Sequence, residues 1–192
     1  MNSFFTKDDE KLKWKCHGVR ELLKTIVFKV TARDSESCTG VRGDYYVLEA
    51  SDWVIVIPYI DGKFLMVKQW RHGEAALSVE FPGGVIDKGE SPEKAAEREL
   101  REETGFSAGK LTKLGSVNPN PALFSNHVHV FLAENLKKEG TQQLDHDEFI
   151  NFMVIPEAEV IEKMGTKEFP HALMGTALAF YLSKKYQKEN TL

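Results

Sequence analysis

The sequence predicts an α+β fold: a mixed central sheet with helices packed against it, preceded by an antiparallel β-rich extension. Three observations carry this. Two β-rich runs, residues 53–60 and 63–70, flank Asp61-Gly62, a dipeptide that favours a tight hairpin turn. One helix is bracketed by Ser91-Pro92 and Gly105: serine caps, proline loses no needed hydrogen bond at the first helical position, and glycine accepts the left-handed exit. Before Trp53, β-rich pieces at 25–32 and 44–48 alternate with turn-rich pieces at 35–40 and 42–43, the pattern of a small antiparallel sheet.

The remaining elements follow in order. Residues 1–15 read as a polar lead-in with scattered aromatics. The run from Trp53 is apolar enough to be covered on both faces. Residues 79–81 form a short strand entering Pro82-Gly83-Gly84. Strands are expected at 110–117, 128–133 and 149–154. A short helix should follow Pro156 and end near Gly165. A last helix over 171–185 has Ala177, Leu178, Tyr181 and Leu182 on a plausible buried stripe. The expected division is a β-rich extension over 1–50 and a main domain over 51–192.

Composition narrows the function. The chain has 192 residues, 42% hydrophobic and 28% charged, as ordinary soluble domains do. Its net charge of -4 argues against gripping a nucleic-acid backbone, which calls for a basic excess. Cys16 and Cys38 form no metal-spaced motif and read as reduced thiols. No segment reaches the roughly 20 apolar residues of a membrane span, and no signal peptide is evident. The expected location is the cytoplasm, with no membrane partner.

The chemistry is concentrated in GGVIDKGESPEKAAERELREETGF, residues 83–106. A glycine-rich turn leads into a helix whose Glu99, Glu102 and Glu103 stand at i, i+3 and i+4, on one side of a single turn. Arg98 can pair with Glu102, yet the other acids still need a cation. Hard oxygen ligands on a rigid scaffold suit Mg²⁺, with Mn²⁺ as a substitute. The plain alternative is a solvated acidic helix face.

The spacing decides between them. The segment resembles the Nudix box: glycine, five residues, Glu, seven residues, Arg-Glu, an aliphatic residue, any residue, Glu-Glu, any residue, Gly and an apolar residue. Gly84, Glu90, Arg98, Glu99, Leu100, Glu102, Glu103, Gly105 and Phe106 fill every fixed position. The resemblance implies an α/β/α sandwich and a metal-dependent pyrophosphohydrolase. It makes Glu99 and Glu103 the main metal ligands, Glu102 a further or water-mediated one, and the Gly83 carbonyl a completing ligand. Glu90 then ties the loop to the helix. Arg98 orients the carboxylates, in keeping with the role of groups behind metal ligands.

Outside the box the chain is similar to the ADP-ribose and nucleotide-sugar pyrophosphatases. Arg71 follows Gln69-Trp70, and Glu80 precedes the Pro82-Gly83-Gly84 turn. By resemblance, Arg71 contacts the diphosphate or terminal sugar, and Glu80 assists metal or ribose binding. A surface ion pair is the other reading of Arg71. Pro121 lies sixteen residues past Gly105, where this branch has Ser-Pro-Gly; here the triplet is Asn120-Pro121-Ala122, which leaves room for other nucleotide sugars. Glu148, in the loop before a strand, matches the catalytic base, with Asp147 and Asp145 as alternatives. Trp53 and Tyr45 or Tyr46 are candidates for stacking on a base, although strand aromatics more often belong to a core. His127 and His129 share an expected strand face without a third ligand, which favours packing or a substrate contact over a metal site.

The resulting expectation is hydrolysis of the diphosphate in ADP-ribose or a nucleoside diphosphate sugar. Glu148, Glu102 and Arg98 serve the chemistry. Arg71, Glu80, Pro121 and Trp53 serve the substrate. The branch further implies a homodimer in which the extension lends residues to the partner's site. The alternatives are a Nudix hydrolase of triphosphates or dinucleotides, and a catalytically silent ligand sensor; the intact set of box acids weighs against the sensor.

Overall fold

A computed structural model describes residues 4–190. The chain divides into two compact units: Met1–Ser51 with Asn118–Asn126, and Asp52–Val117 with His127–Leu192.

The first unit is a three-stranded antiparallel sheet of β1 (Trp14–Lys24), β2 (Phe28–Ser37) and β3 (Arg42–Ala50), in that order, after a 3-10 turn at Lys7–Leu12. This differs from expectation in three places. The first three residues of the lead-in lie outside the described residues, but 14 and 15 already belong to β1. Every residue of β1 is exposed, so no burial pattern marks it, and bulges between Cys16 and Gly18 and between Glu21 and Leu23 break its register. The expected strand from Thr25 begins only at Phe28. Thr25 instead holds the turn, its hydroxyl accepting from the Phe28 N–H at 3.0 Å. Ser35 and Arg42-Gly43, expected in turns, are paired within β2 and β3. Leu48 joins the 118–126 segment to this unit, donating to the Leu123 carbonyl at 2.7 Å and accepting from the Ser125 N–H at 3.1 Å. Cys16 and Cys38 are free and exposed.

The second unit contains β4 (Trp53–Ile60), β5 (Lys63–Arg71), β6 (Ala76–Glu80), α1 (Pro92–Thr104), β7 (Phe106–Val117), β8 (Val128–Lys138), β9 (Asn151–Pro156), α2 (Glu157–Lys163) and α3 (Ala172–Glu189). Its sheet order is β6-β5-β4-β8-β7, with β9 paired to β5. The β4–β8 pair is parallel and the others antiparallel, so the sheet is mixed. The Asp61-Gly62 hairpin turn is present with both residues at positive φ, 47° and 76°, the geometry whose twist matches the strands it joins.

Period-2 alternation explains why β4 is apolar throughout. Val54 and Val56 pack with Ala95, Ala96 and Leu100 of α1. Ile55 and Ile57 face the opposite side, with Met174, Ala177, Leu178 and Tyr181 of α3. β8 divides the same way, Phe131 and Ala133 toward α1 and Val128, Val130 and Leu132 toward α3. Helices thus cover both faces, and α1 is fixed on the sheet through Ala95, Ala96 and Leu100, all fully buried. Among the described residues no helix is long and apolar enough to cross a membrane.

Candidate active site

The site starts from a close approach of backbone. Pro82 and Gly84 carbonyls accept from the Val56 and Val54 N–H groups of β4 at 2.8 and 2.9 Å. A Cβ on Gly83 would strike the Val54 carbonyl, and one on Gly84 would land on the Glu99 carboxylate. Only glycines let this turn lie between the sheet and the acids of α1.

α1 begins as expected. Ser91 Oγ accepts from the Lys94 N–H at 3.3 Å, and Gly105 ends the helix in the left-handed conformation. Arg98 then organises the acids. Its Nε and Nη2 donate to the two carboxylate oxygens of Glu90 at 3.1 and 3.0 Å, and Nη2 also donates to the Val85 carbonyl at 3.0 Å. Its Nη1 donates to Glu99 at 2.9 Å and to Glu102 at 3.1 Å. Glu90 additionally accepts from the Asp87 N–H at 3.2 Å, so one guanidinium ties loop and helix together. Glu103, nearly buried, accepts from the Gly83 N–H at 2.9 Å.

These acids are crowded. Burial pushes the Glu99 carboxyl up to about 7, with Arg98 opposing and the charges of Glu102 and Glu148 adding to the rise. Glu103 is raised well above the carboxylate range by burial first, then by Glu99 and Glu148, against the Gly83 N–H and Arg71. Glu148 is therefore close enough for its charge to act on both.

The loop bearing Glu148 is pinned to the end of α1. The Gln143 N–H donates to the Glu102 carbonyl at 2.8 Å, and the Gln142 side chain donates to the Glu103 carbonyl at 2.6 Å and the Ile150 carbonyl at 3.1 Å. The free carbonyls at a helix C-terminus need such partners. Glu148 itself accepts from the Asp145 N–H at 3.1 Å. A lone glutamine carries no pattern a sequence reading could register, which is why these two pins were not anticipated.

Residues 51–173 match the family described as NUDIX domain. The chain belongs to the Nudix family. It is 33% identical to the "ADP-ribose pyrophosphatase" of Bacillus subtilis over 92% of this chain and 96% of that protein. It is 29% identical to the "ADP compounds hydrolase NudE" of Escherichia coli over 84% of this chain and 87% of that one. A solved structure described as "Crystal structure of ADP compounds hydrolase" superposes with a TM-score of 0.79 at 27% identity, covering 93% of this chain and 96% of that chain.

The Nudix helix thus gathers Glu99, Glu102, Glu103, Arg98 and Gly83, with Glu148 nearby. Beside it, Arg71 grips Glu80 through two parallel bonds, Nε to Oε1 at 2.8 Å and Nη2 to Oε2 at 2.5 Å. Glu80 is completely buried and Arg71 is 42% exposed. Burial alone would raise Glu80, but Arg71 outweighs it and holds the carboxyl below its usual range. Trp53 pairs with Val128 in the sheet and packs on the core that faces α3. Pro121, Tyr45 and Tyr46 are exposed residues of the first unit. His127 precedes β8 instead of sharing a strand face with His129. Its N–H donates to one Asp52 oxygen at 2.7 Å, while the His129 ring meets the other at 3.2 Å.

Among the described residues, no three His, Cys, Asp or Glu side chains converge as a ready-made metal cage. The reason is visible: Arg98 draws Glu99 and Glu102 to itself, and Glu103 is held by Gly83. The donor chemistry nevertheless fits a hard divalent ion. Three carboxylates on one helix turn, two of them buried and disfavoured as unpaired anions, gain from positive charge.

Proposed function

We propose that this Nudix hydrolase cleaves the diphosphate of ADP-ribose or a related ADP- or nucleoside diphosphate-linked sugar, giving a nucleoside monophosphate and a sugar phosphate. The observation that carries the reading is the carboxylate turn Glu99/Glu102/Glu103, with Glu99 and Glu102 held by Arg98 and Glu103 by the Gly83 N–H, next to the Arg71–Glu80 pair. The nearly full-length similarity to a protein named ADP-ribose pyrophosphatase supports the substrate.

Glu99, Glu103, Glu102 and the Gly83 carbonyl would hold Mg²⁺, for which Mn²⁺ can substitute. When bound, the ion supplies positive charge that neutralises the diphosphate and favours ionisation of water. The chain's own groups do the rest. Arg98 fixes Glu99 and Glu102 in one orientation. Arg71, steadied by Glu80, binds a diphosphate oxygen. Glu148 accepts a proton from the water that attacks one phosphorus. The bridging P–O bond breaks, and its electron pair leaves with the departing phosphate.

We further propose that the chain acts as a homodimer through its N-terminal sheet.

The test is a kinetic panel with Mg²⁺: ADP-ribose, ADP-glucose, GDP-mannose, UDP-glucose, diadenosine polyphosphates and nucleoside triphosphates, with products identified. A diphosphate sugar should have the highest kcat/KM, and a triphosphate or dinucleotide ahead by tenfold would overturn the substrate class.

A further inference from the structure

Next to the Arg71–Glu80 pair, the second unit contains a cavity of about 480 Å³ whose walls include Trp70, Arg71, Ser78 and His171. His171 arrives there because the segment before α3 is tied to β6, the Val79 N–H donating to the Glu168 carbonyl at 2.8 Å. Its ring is oriented from behind: Nδ1 accepts from the Leu173 N–H at 3.2 Å. A nitrogen that accepts carries no proton, so in the neutral ring the proton is on Nε2. Burial favours that neutral form. Among the described residues, Nε2 has no hydrogen-bond partner. The same holds for Nη1 of Arg71, whose Nε and Nη2 are committed to Glu80.

One cavity therefore presents two unused donors of different character. A guanidinium edge suits a phosphate oxygen. A neutral imidazole N–H suits an uncharged acceptor such as a sugar hydroxyl or ring oxygen. The two side chains feel each other's surroundings, since Arg71 and Glu80 both act on the His171 ring, so a single ligand can span them. Its chemistry is a phosphate bearing a sugar.

We propose that His171 is a specificity-determining residue, its Nε2–H donating to an oxygen of the sugar on the distal phosphate while Arg71 holds that phosphate. This rests on the diphosphate-sugar reading above. It assigns one side chain to discrimination among distal groups, where a buried donor left without its acceptor is costly.

The test compares His171→Phe, which keeps a ring without the donor, and His171→Gln, which keeps an N–H, on ADP-ribose and on the methyl ester of ADP, which has the diphosphate but no distal sugar. His171→Phe should lower kcat/KM for ADP-ribose about tenfold, mainly through KM, and change the methyl ester less than about twofold. His171→Gln should recover part of the loss. Equal losses on both substrates, or none on either, overturn the proposal. If the wild-type protein hydrolyses neither, the proposed function fails, and calorimetric titration with ribose 5-phosphate decides this inference separately. Binding to wild type that weakens about tenfold in His171→Phe supports it; equal binding, or none to wild type, overturns it. Circular dichroism on both variants checks folding.

Discussion

Arg98 donates to both oxygens of Glu90, one of Glu99, one of Glu102 and the Val85 carbonyl. A lysine has a compact charge and cannot reproduce that fork. Arg98→Lys should therefore leave the fold intact and lower both Mg²⁺ affinity and kcat by roughly 10–100-fold, the usual loss when a group behind metal ligands is removed. Titration of activity against Mg²⁺ reads both effects, and an unchanged Mg²⁺ dependence would sink the orienting role. Glu103→Gln should reduce kcat by about 100-fold or more while retaining the Gly83 hydrogen bond and the circular dichroism spectrum. The box acids were legible because their function demands fixed spacing on one helix. Arg71 was legible only as two alternatives, a substrate contact or a surface ion pair, and Glu80 was not read as its partner, since the two stand nine positions apart and only the fold buries Glu80. That burial gives a pH signature. Glu80 is held below 4.5, the ordinary value, by Arg71 despite burial. Its stabilisation is complete above pH 4.5 and is lost as pH falls through the lower folded value. The melting temperature of wild type should drop below pH 4.5 more steeply than that of Glu80→Gln. The variant should be about 1–3 kcal/mol less stable at pH 7, because Arg71 loses its ionic partner but remains partly solvated. Parallel acid limbs in the two proteins would contradict this.

The turn entering α1 and the strand β1 show what local sequence does and does not encode. Pro82-Gly83-Gly84 announces a turn, but not that each glycine serves a different neighbour. Gly83 faces backbone and Gly84 faces a functional side chain. Gly84→Ala should displace the Glu99 carboxylate, costing about tenfold or more in kcat with about 1 kcal/mol in stability. Gly83→Ala meets the rigid Val54 carbonyl and should cost about 1–3 kcal/mol by overpacking. Thermal melts and kcat for both variants check the contrast, and equal effects on stability and activity would refute it. Strand β4 and the first half of β8, residues 128–133, were legible because both faces are buried there, while the rest of β8, to Lys138, is largely exposed and was missed. β1 was not legible. None of its residues is buried, so selection for alternation is absent, and two bulges would blur any alternation present. The loop of Glu148 was readable from its acid, while its anchoring by Gln142 and Gln143 depends on carbonyls that only a completed helix end leaves free.

At the scale of the whole molecule, the first unit poses a thermodynamic question that its own contacts do not answer. A three-stranded sheet needs a covered apolar face to be stable. Yet Trp14, Val19 and Tyr45 on one face of this sheet, and Leu23 and Tyr46 on the other, all remain exposed. So many large apolar side chains on one small sheet mark an interaction surface rather than ordinary scatter. A second copy of the chain is the economical occupant: the same patch on both protomers satisfies itself about a two-fold axis, the commonest symmetry of soluble oligomers. Light scattering at micromolar concentration should give twice the 21.7 kDa of the chain. Truncating residues 1–50 is a poor probe, because Leu48 holds the 118–126 segment and its removal disturbs more than an interface. Point charges are cleaner. Val19→Asp with Leu23→Asp falls where β1 is already exposed, 59% and 55%, so the monomer should fold normally. Val19 and Leu23 lie on opposite faces, so a dimer built on either face would forfeit about 1.5–3 kcal/mol of apolar burial at one of them, weakening association at least about tenfold. If the extension also lends residues to the partner's site, activity should fall with protein concentration in step with dissociation. A wild-type protein that is monomeric at micromolar concentration would refute the dimer. A double variant that dissociates yet keeps full kcat/KM would leave the dimer standing and remove its part in catalysis.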